Sequence, residues 1–256
     1  MTQATARSLC ESAGIGRHQA DNAIELAVDL AHYIAERLQQ QIEAQGKASL
    51  VVSGGSTPAP VFERLAGAAV DWANVSVTLA DERWVAPGHS DSNESLVRDT
   101  LLVDKAAAAQ FVSLYRAGVS PEDAVTAVAA DVRAMRQPFT VTILGMGGDG
   151  HTASLFPDAP AEQLSQAMRL DNSQTVAILN PPSVAQTRIS LTRVALLNSH
   201  HRVLHITGEG KQQVLAGALQ DSASDGQTPG DYHDGLLPIV GLLTNRPNSA
   251  VVYWSS

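Results

Sequence analysis

The sequence predicts an α/β fold, a mostly parallel sheet with helices on both faces. Three observations carry this. Short apolar runs of the kind buried within parallel sheets recur along the chain. Stretches with apolar residues at three- and four-residue steps separate them, so strands alternate with helices. Most of these runs end in a polar segment, often rich in glycine. No repeat of fixed period, low-complexity tract or linker breaks the pattern, so one domain is expected over residues 1–256, with 1–18 a peripheral N-terminal segment.

The elements follow in order. Residues 19–43 read as a long helix whose inward face carries Ile24, Ala27, Val28, Ala31, Ile34, Ala35, Leu38 and Ile42. Residues 49–52 form a buried-type strand. Pro58 then suits a first helical turn, with Ser56 or Thr57 as N-cap and a helix to about residue 67. A strand is expected at 75–80 and a helix from Ser92 or Asn93 to about residue 102, then a strand at 110–114. Ser120-Pro121-Glu122-Asp123 combines an N-cap, a proline and first-turn acids, and starts a helix carrying Val125, Val128, Ala129, Val132 and Met135 inward. Strands are expected at 139–144, 175–179 and 203–207, a helix from about 208 to 219, a loop over 221–235 and a last strand at 251–254.

Composition narrows the function. A net charge of −9, with no run of Lys and Arg, argues against nucleic acid as a partner. An anionic ligand would have to be held by cations gathered locally. The single cysteine, Cys10, excludes an internal disulfide and a cysteine-built metal cage. With no apolar run of about 18 residues and no signal-like start, no membrane association is expected and the cytoplasm is the expected compartment.

The polar segments share one address. Residues 53–57, 81–83, 145–151, 180–188 and 208–211 each follow an expected strand, and in a parallel sheet all carboxyl ends open on one edge, where ligands bind. In Ser53-Gly54-Gly55-Ser56-Thr57 the glycines let backbone amides turn toward an anion at a helix start, and three hydroxyls add donors; a plain capped turn would use the same residues. Lys211 in a first helical turn opposes the helix dipole, a placement that makes more sense with an anion beside it, although on this segment alone a solvated lysine is the favoured reading. Arg188, taken alone, reads equally as a surface arginine. Gly145-Met146-Gly147-Gly148-Asp149-Gly150 formally fits the dinucleotide fingerprint, but Asp171 precedes the 175–179 strand where the fingerprint needs an acid after it. A glycine nest carrying Asp149 and His151 into a cleft fits better. His151 is the candidate acid–base residue, because an unperturbed imidazole titrates at about pH 6.5 and takes a proton from water near neutrality. His200 and His201 are adjacent on a strand and point to opposite faces, poor geometry for a shared metal. Asp81 could orient the imidazole, as could Asp149, and Arg83 could bind or polarise substrate. No Gly-x-Ser-x-Gly elbow, His-Glu-x-x-His pair or P-loop lysine motif is present.

These segments resemble a known family. Residues 53–58, Asp81-Glu82-Arg83-Trp84-Val85 and Ser90-Asp91-Ser92-Asn93 are similar to the first half of 6-phosphogluconolactonases. The run from Leu144 through Gly145-Met146-Gly147-Gly148-Asp149-Gly150-His151-Thr152-Ala153-Ser154 to Pro157 resembles that family's most specific motif. Arg188-Ile189-Ser190-Leu191-Thr192 and Thr207-Gly208 with Lys211 resemble later segments, so the likeness spans roughly residues 20–254. The resemblance implies a Rossmann-like fold, no metal and no cofactor, and hydrolysis of 6-phosphogluconolactone to 6-phosphogluconate in the pentose phosphate pathway. It implies that His151 is the catalytic histidine, and that Arg83, Arg188, Lys211 and the loop Ser53, Gly54, Gly55, Ser56, Thr57 contact substrate and phosphate. The partner implied is a small sugar-phosphate lactone, with no obligate protein partner evident. Glucosamine-6-phosphate deaminases share the Gly-Gly-Ser-Thr loop and the Asp-Gly-His turn. Arg83 stands where they usually carry Tyr, and Ser154-Leu155-Phe156-Pro157 lacks the glutamate that deamination uses. A sugar-phosphate sensor of the same fold would normally carry a fused DNA-binding unit, and residues 1–18 are too short for one. The ends of the likeness depart from the pattern: residues 183–187 are more polar than expected, and Trp254-Ser255-Ser256 lacks an acidic, alanine-rich finish.

Overall fold

A computed structural model describes residues 3–224, 235–245 and 249–256. Seven strands form one all-parallel sheet, in the order β1 (Gly16–Ala20), β10 (Ala250–Ser255), β9 (Ser199–Thr207), β6 (Phe139–Leu144), β2 (Ala48–Val52), β3 (Val75–Leu79) and β5 (Gln110–Val112). Helices flank it, as expected for this class. Every residue of β2 and β6 is buried, which is why both read as apolar runs. The edge strand β1 is Gly-Arg-His-Gln-Ala, with only Ala20 buried, and nothing in its polar sequence marks it as a strand.

That edge corrects the first helix. Helix α2 begins at Ala23 and ends at Gln45, because Asn22 caps the amides of Ile24 and Glu25 at 3.0 Å and Gly46 closes the other end at φ 77°. Its buried row is Leu26, Leu30, Ile34, Leu38 and Ile42, with Ala27 and Ala31 alongside. Ile24 and Val28, expected inward, are 66% and 49% exposed. They lie two residues, or about 200°, around the helix from that row. Helix α3 (Ala59–Ala66) starts from Pro58 with no side-chain cap, so neither Ser56 nor Thr57 serves as expected. Helix α4 (Asn93–Thr100) is capped by Ser92, and α5 (Pro121–Ala134) by Ser120, as the sequence predicts. Val125 is only half-buried, and Ala124 takes its place in the buried stripe.

The sequence reading passed over α1 (Gln3–Ser12), α6 (Ala161–Met168), α7 (Arg193–Leu197) and α9 (Pro238–Leu243). Helix α8 (Glu209–Ser224) runs past 219 into the expected loop over 221–235, most of which, residues 225–234, lies outside the described residues.

A second correction matters more for the site. The strand expected at 175–179 is not in the parallel sheet. It is β7 (Val176–Leu179), in a separate antiparallel sheet of order β4 (Asp81–Arg83), β8 (Arg188–Leu191), β7. Segment 81–83 is thus itself a strand, as is the end of segment 180–188. Ala80 joins the two sheets: its amide donates to Val52 O at 2.7 Å in the parallel sheet, and its carbonyl accepts from Leu191 N at 2.8 Å in the antiparallel one.

The chain moves from β2 to β3 to β5 in one direction, then returns to place β6 on the other side of β2. The order therefore reverses between β2 and β6. Loops leaving adjacent carboxyl ends diverge at such a switch point and open a crevice. The loops leaving these two strands are 53–57 and 145–151.

Candidate active site

A cavity of about 380 Å³ occupies this crevice, within the size range of small-ligand sites. It brings together Ser53, Gly54, Gly55, Ser56, Thr57, Asp81, Arg83, His151, Arg188 and Lys211 from the predicted set. Three of the five expected segments reach it from carboxyl ends of the parallel sheet. Arg83 and Arg188 reach it from β4 and β8, facing each other as registered partners in the antiparallel sheet.

The 53–57 loop is held from outside. A Cβ on Gly54 would lie 1.8 Å from Asn93 Oδ1, so only glycine fits there, and Gly55 adopts φ 92°. Asn93 also donates Nδ2–H to Asp81 O at 2.9 Å, tying the loop to β4. Fully buried Glu82 anchors the same corner. It accepts from the amides of Arg83 and Asn93 at 2.8 Å, from the amide of Glu94 at 2.7 Å and from Ser92 Oγ at 3.1 Å, so one carboxylate holds β4 against the start of α4.

His151 sits in a tight glycine loop. Gly147 N donates to His151 O at 2.9 Å, and Gly150 N to Gly147 O at 3.1 Å. Of the two carboxylates that could orient the imidazole, Asp149 is the one against it, with Oδ1 2.6 Å from Nδ1 and 3.1 Å from the His151 amide. Partial burial raises the Asp149 pKa. The His151 amide, the neighbouring imidazole and its hydrogen bond together outweigh that and leave the carboxyl below its ordinary value. Asp81 is engaged elsewhere, accepting from Ser154 Oγ at 2.5 Å. The His151 ring stacks on Phe156 with centroids 4.0 Å apart, and the Arg188 guanidinium lies 5.7 Å from the same phenyl ring.

The cations are under-neutralised. Arg83 donates Nη1–H to Asp91 O at 2.7 Å, while Nε of Arg83 and Nε of Arg188 are buried without partners among the described residues. Burial and the nearby Arg83 charge lower the Arg188 pKa, offset in part by Asp81, Glu82 and Asp91. Two guanidiniums brought together with no bridging carboxylate among the described residues, and Lys211 on the same cavity, suit an incoming anion. The hydroxyls of Ser56 and Thr57, released from capping, line the same wall.

Sequence reasoning missed several contributors. Asn93 and Phe156 lay within recognised motifs but carried no assigned role, and no pattern marks Ser154 as the partner of Asp81. His205 was passed over, although a polar residue inside the buried run 203–207 was a signal.

Comparison with known proteins shows the family. The family described as glucosamine-6-phosphate isomerases/6-phosphogluconolactonase matches residues 21–235. A 6-phosphogluconolactonase of Rhizobium meliloti is 38% identical over 93% of this chain and 97% of its own length. One from Pseudomonas putida is 42% identical over 81% of this chain and 84% of its own. The crystal structure of a 6-phosphogluconolactonase from Shewanella baltica superposes with a TM-score of 0.85 at 39% identity, covering 94% of this chain and 98% of that one. With that family matching residues 21–235 and relatives 38% and 42% identical over most of the chain, the chain belongs to the glucosamine-6-phosphate isomerase/6-phosphogluconolactonase family.

Proposed function

We propose that the protein hydrolyses 6-phospho-D-glucono-1,5-lactone to 6-phosphogluconate, the lactonase step of the pentose phosphate pathway, with His151 as general base. The observation that carries this reading is that His151, with Asp149 2.6 Å from its Nδ1 and outside the cavity lining, lines one cavity with Arg83, Arg188 and Lys211. The phosphate docks on the amides of loop 53–57, Arg188 and Lys211. Binding energy from this remote group holds the lactone carbonyl near the imidazole. Ionised Asp149 accepts the Nδ1 proton of His151, which leaves the Nε2 lone pair to take a proton from water. The water oxygen bonds to the carbonyl carbon, and Arg83 or the nest amides stabilise the oxyanion. The carbonyl re-forms, the ring C–O bond breaks, and His151 returns its proton to the departing ring oxygen. The new carboxylic acid then ionises.

The test is a coupled dehydrogenase assay on freshly generated 6-phosphogluconolactone, corrected for spontaneous hydrolysis. Enzyme-dependent acceleration that the phosphate-bearing product inhibits is expected. A rate equal to the uncatalysed one, or ammonia release from glucosamine 6-phosphate in its place, would overturn the reading.

A further inference from the structure

His205 lies on β9 one residue past the Leu144–Leu204 pair, beside Gly145, and lines the cavity with Ser53 and Lys211. The residue is only 4% exposed. Among the described residues its Nδ1 is sealed off without a hydrogen-bond partner, and none bonds Nε2. The ring's polar outlet to the cavity is therefore Nε2. Burial first, and Lys211 second, push its pKa down to about 4, so the ring is neutral near pH 7. A neutral imidazole carries one N–H. Sealing that donor in without an acceptor is rarer and costlier than sealing in a bare lone pair. The proton therefore belongs on Nε2, facing the cavity beside a cationic ammonium.

We propose that His205 is a ligand-contacting residue of this site, whose uncharged imidazole donates Nε2–H to an oxygen of the substrate phosphate alongside Lys211. The inference rests on the lactonase reading for the identity of the anion. An uncharged donor adds direction to the phosphate cradle without adding repulsion against Lys211, which a second cation so close would bring.

Steady-state kinetics of His205→Leu and His205→Gln on 6-phosphogluconolactone and on unphosphorylated glucono-1,5-lactone test it. Removing a donor to a charged oxygen should raise KM for the phosphorylated lactone by about 10-fold in the Leu variant, with kcat nearly unchanged. Gln, whose amide N–H can stand where Nε2–H stood, should restore most of the loss. Turnover of glucono-1,5-lactone should not change. A fall in kcat at constant KM, an equal loss on both lactones, or full activity of the Leu variant overturns the proposal. Should the Leu variant fail to fold, His205→Met, equally without an N–H donor, takes its place with the same outcomes. Calorimetric binding of 6-phosphogluconate separates the two readings. A protein that binds it but turns over no lactone loses the lactonase assignment, whereas affinity indifferent to both substitutions removes His205 from the cradle.

Discussion

A methyl group on Gly147 would sit 2.2 Å from two atoms of the His151 ring and 2.6 Å from Asp149 Oδ1. Gly147→Ala must therefore displace the pair, and a displacement of about 1 Å costs on the order of 10²-fold in turnover. His151→Ala should lower kcat by about 10²- to 10⁴-fold, the usual contribution of general-base catalysis. Both variants should keep most of their affinity for 6-phosphogluconate, because they leave Arg188, Lys211 and loop 53–57 unsubstituted. Calorimetry alongside the coupled assay checks this, and unchanged turnover in either variant removes His151 from its role. The Asp149 carboxyl also gives a pH signature. Its folded pKa lies below the ordinary 3.8, so its stabilising contribution is complete above the unfolded value and disappears as pH falls through the folded one. The difference in Tm between wild type and Asp149→Asn should therefore be constant near neutrality, begin to shrink as pH falls past 3.8 and vanish only below the lower, folded pKa. At this scale the sequence was informative where glycine and histidine share a turn. It was silent on which carboxylate holds the ring, because Asp81 and Asp149 are both strand-end acids and only their packing separates them.

At the scale of elements, β4 depends on Glu82. Replacing it with Ala leaves three backbone amides and one hydroxyl without their acceptor. Leaving a single buried donor unsatisfied costs about 1–3 kcal/mol, so Glu82→Ala should destabilise the fold by about 3 kcal/mol or more, read by chemical denaturation. Retained stability would mean that the corner repacks. The parallel strands β2, β6 and β9 were legible because strands covered on both faces must be apolar. The strands β4 and β8 were not, since Asp-Glu-Arg and the Arg188 end carry charges that a propensity reading assigns to turns. The edge strand β1 failed for a related reason: one side of an edge faces water, so its sequence is free to be polar.

For the molecule as a whole, an acidic chain holds three cations at one crevice. Ligand that binds only the folded state stabilises by mass action, about 2.7 kcal/mol at a concentration 100 times Kd. Saturating 6-phosphogluconate should raise Tm by several degrees, while gluconate, which lacks the phosphate, should not. Equal shifts from both would place the binding energy on the sugar and not on the cations. The overall α/β plan and a cleft at the carboxyl edge of the sheet were legible in the alternation of strands and helices and in loop chemistry, whereas the strand order that sets the crevice between β2 and β6 was not. Nor was the second sheet, because its pairing joins residues about a hundred positions apart with no apolar pattern to announce it. That sheet has a consequence of its own. The imidazole stands on the parallel scaffold and the two guanidiniums on the antiparallel one, with Ala80 as the backbone seam between them. The cations of the crevice are thus divided between two scaffolds, Lys211 following parallel strand β9 and Arg83 and Arg188 on the antiparallel sheet, so any shift at the seam changes the spacing between them.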